Sequence, residues 1–155
     1  MADERDNAGV VAPPPLIYLG SLVLGLLLNR RHPTAFLPRT MARSLGSPLV
    51  CGGVLLLGWF EWTMRSAGTP ASPYKPVSGI ATEGPFRYTR NPAYLAMATI
   101  YAGISSLANA LWAILLLPAA LLAVQRGVIE REEGYLERKF GEEYLRYKEQ
   151  VRRWI

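Results

Sequence analysis

Two polar segments, GPFRYTRNPAY at residues 84–94 and EEGYLERKFGEEYLRYKEQV at residues 132–151, enclose the apolar stretch from which the fold follows. That stretch contains two apolar runs, Ala93–Leu107 and Ala110–Val128, with room only for a tight turn between them. Two helices joined by so short a connection are antiparallel neighbours. The sequence therefore predicts a helical hairpin that brings the first and second polar segments to the same side of the molecule.

Two further apolar runs precede the hairpin, Leu16–Leu28 and Pro48–Met64, and the first is long enough to span if it begins at Val10. An α-helix rises about 1.5 Å per residue, so it takes about 20 apolar residues to cross the hydrocarbon core of a bilayer. The aromatic residues at 59–62 are typical of a membrane interface. A basic loop, Arg30–Arg43, is predicted between these two runs.

The chain after the last apolar run is predicted to be an amphipathic helix. Apolar side chains recur three or four residues apart from Leu136 to Val151, and charged residues fill the opposite face. Gly141 is predicted to interrupt this helix. The predicted fold class is all-α, a polytopic membrane helical bundle with about four transmembrane helices and a C-terminal amphipathic helical tail.

The composition agrees with a membrane protein. The chain has 155 residues, of which 50% are hydrophobic and 19% are charged, a more apolar balance than that of an average soluble domain. Residues 1–9 are predicted to be disordered and residues 10–155 to form a single domain. Basic residues flank the apolar runs, so the net charge of +5 indicates a membrane protein and not a nucleic-acid partner.

Metal and disulfide chemistry are not predicted. The chain has one cysteine, Cys51, and one histidine, His32. One cysteine forms no internal disulfide, and a zinc site needs several such ligands.

The first polar segment contains a predicted helix start. Asn91 is a good N-cap residue, and Pro92 suits the first helical position. The free N–H groups at a helix start attract carboxylate and phosphate groups. Capping alone does not explain why Arg87, Tyr88 and Arg90 crowd the same short segment.

Glu132 and Glu133 in the second polar segment face this helix start across the predicted hairpin. Most acidic pairs on helices are simply solvated, and Glu142–Glu143 is interpreted in that way. A carboxylate opposite a helix start could instead hold an ammonium group. Arg126 and Arg131 could hold an anionic substrate or reach towards lipid head groups. The pattern predicts a site for a zwitterionic ligand at the membrane surface.

Four short motifs make the pattern more specific. They are Gly84-Pro85-Phe86-Arg87-Tyr88, Arg90-Asn91-Pro92-Ala93-Tyr94, Glu132-Glu133-Gly134-Tyr135-Leu136 and Phe140-Gly141-Glu142-Glu143-Tyr144-Leu145-Arg146-Tyr147. In this order and separation they resemble the C-terminal half of the isoprenylcysteine carboxyl methyltransferase family of integral membrane enzymes. The resemblance implies a short, bacterial-type member whose catalytic half is residues 66–155.

The same resemblance implies S-adenosylmethionine as the cofactor, bound between the two polar segments. The implied cofactor-binding residues are Ile80, Ala81, Phe86, Asn91, Pro92, Tyr94 and Glu132. In this arrangement Glu132 takes the ammonium of the methionine moiety and Tyr94 packs against the cofactor. The predicted catalytic residues are Arg90 and Arg126.

Two positions depart from the family's pattern. Asn91 stands where the family has a histidine, and asparagine takes up no proton at neutral pH. Val128 stands where eukaryotic members have a substrate-binding arginine, which leaves Arg126 as the nearest candidate.

The implied reaction is methyl transfer to a lipophilic acceptor, a carboxylate of prenylcysteine type. A carboxylate acceptor needs no general base, which agrees with the lack of a histidine near the polar segments. The expected partners are a lipophilic or lipidated substrate and membrane lipid, and the oligomeric state is left open. Because the cofactor is cytosolic, we expect a protein of the inner (plasma) membrane whose active site faces the cytosol.

Three alternatives remain. A phospholipid N-methyltransferase would share the small helical architecture and act on an amine head group. A membrane steroid-reductase-like enzyme would use a nicotinamide cofactor. A non-enzymatic membrane assembly module would dock a partner through the amphipathic tail, although this leaves the ordered polar segments unexplained. Binding of S-adenosylmethionine by the purified protein separates these alternatives.

Overall fold

The computed structural model describes residues 8–68 and 79–155, of which 76% are helical, and these ranges contain no β-strand. The helices are α1 Pro14–Arg31, α2 Arg39–Ser66, α3 Pro92–Leu107, α4 Leu111–Val124, α5 Glu130–Phe140 and α6 Glu142–Gln150, with a 3₁₀ turn at Gly84–Arg87 and a π-helical turn at Gln125–Ile129. The all-α prediction is confirmed for these ranges. Residues 1–7 of the predicted disordered N-terminus lie outside the described residues, as do residues 69–78 of the loop that follows α2.

The predicted hairpin is confirmed. α3 and α4 are joined by three residues around Asn109, which adopts a positive φ of 49°. The Asn109 side chain accepts hydrogen bonds from the main-chain N–H groups of Phe36 and Leu37, both at 3.0 Å. Its amide also donates to Leu37 O at 2.7 Å. The hairpin turn is therefore tied to the connection between α1 and α2.

Small residues allow the helices to pack closely. α2 packs along α3, and a Cβ added to Gly103 would lie only 2.7 Å from the main-chain nitrogen of Val50. α1 packs along α4, and a Cβ added to Gly25 would lie 2.4 Å from the Cα of Ala113. Close contacts between small residues are typical of helices that associate within a membrane, where packing replaces the hydrophobic effect.

α4, the π-helical turn and α5 form one continuous helix, Leu111–Phe140. Val124, Val128 and Ile129 are fully buried where the hydrogen bonding changes from α to π. A π-helical turn shifts the register of the residues that follow, and such turns are frequent at functional sites. Here the residues that follow are Glu130, Glu132 and Glu133, which begin the polar part of this helix.

Within residues 8–68 and 79–155, two helices are long and apolar enough to cross a membrane, Arg39–Ser66 and Leu111–Phe140. Only 17% and 28% of the residues in their most apolar windows are buried, so most of this apolar surface faces outward and not into a protein core. α1 ends in Arg30 and Arg31, and α3 has 16 residues, which is short for a span. Of the predicted spans, two therefore meet the requirements of length and hydropathy, and the number four stays a prediction.

One predicted boundary is wrong. The basic loop was expected to extend from Arg30 to Arg43, but α1 continues to Arg31 and α2 begins at Arg39. Proline inside a helix removes one hydrogen bond and crowds the preceding turn, and Pro48 is the first residue of the second apolar run. The structure accommodates Pro48 within α2. The neighbouring residues explain this, because Gly46 packs against α3 and holds the helix there.

The interrupted tail is confirmed. α5 ends at Phe140, Gly141 adopts a positive φ of 52°, and α6 begins at Glu142. Glycine tolerates this left-handed conformation because it has no Cβ. The change of direction at Gly141 lets α6 fold back towards the first polar segment, and the Tyr147 hydroxyl donates to Phe86 O at 2.8 Å.

Candidate functional site

A cavity of about 440 Å³ lies where the two polar segments meet. Its walls come from the end of α2, the first polar segment, the start of α3, α5, α6 and the N-terminal residues before α1. The predicted cofactor-binding residues all line it, namely Ile80, Ala81, Phe86, Asn91, Pro92, Tyr94 and Glu132. The fold therefore brings together residues that are far apart in the chain, from Ile80 to Glu132.

The two predicted catalytic residues are placed differently. Arg90 lines the cavity. Arg126 lies on the π-helical turn, is exposed, and is absent from the cavity wall. The structure therefore joins Arg90 to the cofactor-binding set and leaves the role of Arg126 as a prediction.

The cavity is mostly apolar, with contributions from Leu57, Phe60, Met64 and Met97. Phe60 also contacts the ring of Phe86, with ring centroids 5.8 Å apart. Small-molecule sites generally combine such apolar walls with a few polar groups that fix orientation. In this cavity the polar groups come mainly from the two polar segments.

Glu132 is the first of these polar groups. The Tyr94 hydroxyl donates to Glu132 Oε1 at 2.7 Å, which joins the start of α3 to α5. Glu132 lies in the polar continuation of the α4–α5 helix, outside its apolar part. Burial raises the pKa of Glu132 to about 7, the hydrogen bond from Tyr94 opposes this shift, and the Glu133 charge adds to it. At neutral pH this carboxyl group is therefore divided between its acidic and ionised forms.

Glu133, the next residue, is the centre of a buried ion cluster. It is 5% exposed, and Arg153 Nη2 and Nε contact its two carboxylate oxygens at 2.7 and 3.0 Å. Arg90 Nη2 lies 3.4 Å from the same carboxylate. Arg153 also lies 3.9 Å from Glu130. The hydrogen bonds to Glu133 raise the pKa of the Arg153 guanidinium, so this side chain stays positively charged.

Asn91 does not act as its position in the sequence predicted. It is the N-cap residue of α3 and Pro92 follows it, but its side chain makes no capping hydrogen bond. The side-chain amide instead donates to Arg153 O at 2.9 Å. The prediction of a side-chain cap is therefore wrong. The main-chain carbonyl of Arg153 lies within hydrogen-bond distance and accepts from the Asn91 amide instead.

Residues 152–154 form a C-terminal strap across the two polar segments. Arg90 N donates to Arg152 O at 3.0 Å, and the Thr89 hydroxyl donates to Arg153 O at 3.1 Å. The Trp154 indole donates to Gln125 Oε1 at 3.2 Å on the π-helical turn. The strap thus connects the start of α3 with the start of α5, which are the two elements that carry Tyr94 and Glu132.

Sequence reasoning missed the strap and the tyrosines that complete the cavity. Tyr144 and Tyr147 of α6 are buried and line the cavity wall. Burial raises the pKa of Tyr144 to about 12, so this phenol stays protonated at neutral pH. Their three-residue spacing was visible as part of the apolar stripe of the tail. No local pattern, in contrast, distinguishes Arg153 from the other arginines near it.

Comparison with known proteins agrees with this arrangement. The family model for phospholipid methyltransferase matches residues 41–143, which is more than half of the chain and contains the first polar segment and the beginning of the second. An uncharacterized protein of Haemophilus influenzae is 57% identical over 35 residues, which are 23% of this chain and 56% of that protein. The chain thus spans about half the length of the curated relative it matches, and no solved structure matches it. The narrower resemblance to isoprenylcysteine carboxyl methyltransferases stays a prediction. With more than half of its length matched, the chain belongs to the phospholipid methyltransferase family.

Proposed function

We propose that this protein is a membrane methyltransferase that transfers a methyl group from S-adenosylmethionine to a lipophilic acceptor at the cytosolic membrane surface. The observation that carries the proposal is the cavity between the two polar segments, which contains both a carboxyl group and a guanidinium among apolar walls. A zwitterionic ligand with a large apolar part matches this combination. Family membership over residues 41–143 supports the reaction class.

In this proposal Glu132 holds the ammonium of the methionine moiety. Its carboxylate is already oriented by the Tyr94 hydroxyl, so the ligand meets a positioned acceptor. The cavity volume of about 440 Å³ lies in the usual range of small-molecule sites, about 300–1,000 Å³. The bound cofactor supplies an activated methyl group, and the protein contributes orientation and the exclusion of water.

The first candidate acceptor is a carboxylate on a lipid-modified, prenylcysteine-like group. A carboxylate is nucleophilic without the loss of a proton at neutral pH, so the site needs no general base. Among the cavity-lining residues of the described ranges no histidine occurs, which agrees with this choice. The outward apolar surfaces of α2 and α4 would let such an acceptor approach from the bilayer.

The second candidate acceptor is a phospholipid amine, which the family match favours. An amine must lose a proton before or during transfer, so its methylation calls for a base. Purified protein can be offered a prenylcysteine analogue or phosphatidylethanolamine vesicles together with tritiated S-adenosylmethionine. Label in the ester and not in the vesicle lipid supports the first candidate, and the reverse result supports the second.

The proposed cofactor site is tested by Glu132→Gln. Loss of one partner of a desolvated charge pair costs about 2–5 kcal/mol, so calorimetric affinity for S-adenosylhomocysteine should fall by more than about tenfold. The matched control is Glu142→Gln, because Glu142 is exposed on α6 and should bind normally. Unchanged affinity in Glu132→Gln would reject Glu132 as a cofactor ligand. If the wild-type protein binds no S-adenosylhomocysteine at all, the proposed function itself fails.

A further inference from the structure

Arg90 is the one cavity-lining cation whose side chain is almost completely buried within the described part of the chain. Its side chain is 8% exposed. Its Nε and Nη1 atoms are buried and have no hydrogen-bond partner among the described residues. An arginine stays protonated at any pH that a protein tolerates, so these unpaired donors belong to a permanent charge. Leaving charged donors buried and unpaired is unfavourable.

The neighbouring carboxylate does not neutralise Arg90 by itself. Glu133 lies 3.4 Å from Arg90 Nη2, but Arg153 makes two shorter contacts to the same carboxylate, at 3.0 and 2.7 Å. One negative charge is therefore shared by two guanidinium groups. Glu130 lies 3.9 Å from Arg153 and not beside Arg90, so the two unpaired donors of Arg90 are the groups that favour an anion in the adjacent cavity.

We propose that the unpaired Nε and Nη1 donors of Arg90 bind the carboxylate of the cofactor's methionine moiety. This inference rests on the proposed function for the identity of the cofactor. Arginine is well suited to the role because its planar guanidinium offers several N–H groups to one carboxylate. Arg153 acts as a positioning residue, since it holds Glu133 and leaves Arg90 available to the ligand.

The arrangement of the two polar segments selects the cofactor's carboxylate among the possible oxyanions. The ammonium and carboxylate of an amino acid are attached to the same carbon, so the groups that bind them must be neighbours. Arg90 and Tyr94 come from one short segment and contact Glu133 and Glu132, which are adjacent in the chain. The phosphate of a lipid acceptor offers the same oxyanion chemistry and is the rival source of the anion.

The test compares S-adenosylhomocysteine with its decarboxylated analogue by calorimetry of the purified full-length protein in detergent. A hydrogen-bonded charged group contributes about tenfold to a hundredfold in affinity, so the wild-type protein should prefer S-adenosylhomocysteine by that ratio. In Arg90→Gln the two ligands should bind with equal affinity. In Arg90→Lys, which keeps the charge and loses the planar fork, the ratio should lie between these values. The matched control is Arg87→Gln, because Arg87 is exposed and should preserve the wild-type ratio.

The outcomes separate the inference from the proposed function. A wild-type ratio that persists in Arg90→Gln overturns the inference, and so does equal affinity of the wild-type protein for the two ligands. If Arg90→Gln keeps the ratio and raises the KM of the acceptor, the guanidinium binds the acceptor's anionic group instead. If Arg90→Gln fails to fold, the ratio in Arg90→Lys decides, and an unchanged ratio there rejects the carboxylate contact. Failure of the wild-type protein to bind either ligand counts against the cofactor itself.

Discussion

At the scale of single residues, the site depends on carboxyl groups that burial has made different from one another. Glu132 is hydrogen-bonded by a neutral phenol and has a raised pKa. Glu133, one residue further, is held by two guanidinium groups. Their different surroundings give the two adjacent glutamates different roles. Glu132 is available to bind a ligand, and Glu133 forms ion pairs that stabilise the structure. The exposed pair Glu142–Glu143 was correctly interpreted as solvated.

The raised pKa of Glu132 predicts that cofactor affinity depends on pH. The pKa moves from 4.5 to about 7 on folding, so the folded protein keeps a proton that the unfolded chain releases between these values. The free energy of unfolding therefore falls as the pH rises through this window. An ammonium group binds the ionised carboxylate, so affinity for S-adenosylhomocysteine should weaken below pH 7, by up to about tenfold per pH unit.

Calorimetric titrations between pH 5 and pH 8 check this prediction. The charged and titratable groups that face Glu132 are Glu133, Tyr94 and, through Glu133, Arg90. 5′-Methylthioadenosine lacks the ammonium and should bind with a constant affinity across it. A flat profile for S-adenosylhomocysteine as well would contradict an ionic contact with Glu132.

Asn91 offers a test that separates capping from the contact with the strap. Aspartate and asparagine cap helices equally well, but aspartate cannot donate to Arg153 O as the Asn91 amide does. Arg153 O keeps its hydrogen bond from the Thr89 hydroxyl, so Asn91→Asp should lower stability by about 0.5–1.5 kcal/mol, the net contribution of the one hydrogen bond that is lost. Thermal unfolding in detergent measures the change. Wild-type stability in this variant would show that the backbone position alone matters.

At the scale of elements, the strap connects the start of α3 with the start of α5, which lie on either side of the cavity. Thr89, Arg90 and Asn91 donate to its carbonyl groups, and Arg153 binds Glu130 and Glu133 on α5. These contacts set the distance between the start of α3 and the start of α5. The spacing between Tyr94 and Glu132 depends on the same two elements, so the strap would act on the proposed cofactor site through the position of these elements.

Deletion of Arg152–Ile155 should therefore weaken both folding and cofactor binding. The deletion leaves Glu133 with Arg90 as its remaining partner among the described residues and removes three main-chain acceptor contacts. Breaking a buried ion pair costs about 3–5 kcal/mol when no partner remains, and somewhat less here because Arg90 is retained. We expect a lower melting temperature and at least about tenfold weaker binding of S-adenosylhomocysteine.

Deletion of Ile155 alone is the matched control, because Ile155 is 79% exposed and none of the strap contacts involves it. If the longer deletion binds the cofactor as well as the control does, the strap has no part in forming the site.

At the scale of the whole molecule, apolar surface points outward and polar chemistry gathers at one end of the hairpin. Exposed leucine and valine side chains occur along α1, α2 and α4. The cavity, by contrast, brings together Arg90, Glu132 and Glu133 from the two polar segments. A bilayer around the helices would cover the first surface and leave the cavity near the interface, where a soluble cofactor and a lipid acceptor can meet.

This arrangement predicts that the protein stays in the membrane fraction after alkaline carbonate extraction and needs detergent for release. The physical reason is the outward apolar surface of Arg39–Ser66 and Leu111–Phe140, of which most is unburied. A peripheral protein carrying the same affinity tag is the control and should be released. Recovery of this protein in the carbonate supernatant would contradict integral insertion.

The sequence by itself determined those features that are stabilised by interactions between residues close together in the chain. Apolar runs and their short connection predicted the α3–α4 hairpin, Gly141 predicted the break in the tail, and Pro92 predicted the start of α3. The same hairpin explains why the residues assigned to the cofactor do line one cavity. Each of these features depends on neighbours within a few residues, or on one chain reversal, so a linear pattern is sufficient to find it.

Only the tertiary structure decided which partners those residues have. The start of α2 at Arg39 depends on packing against α3, which keeps Pro48 in a helix. The choice of Arg153 as partner of Glu133, and of its carbonyl group as partner of Asn91, requires the strap to cross both polar segments. Such long-range contacts form because buried charges and amides must be paired wherever folding places them. Their partners are therefore selected by proximity in space, which no local spacing in the chain encodes.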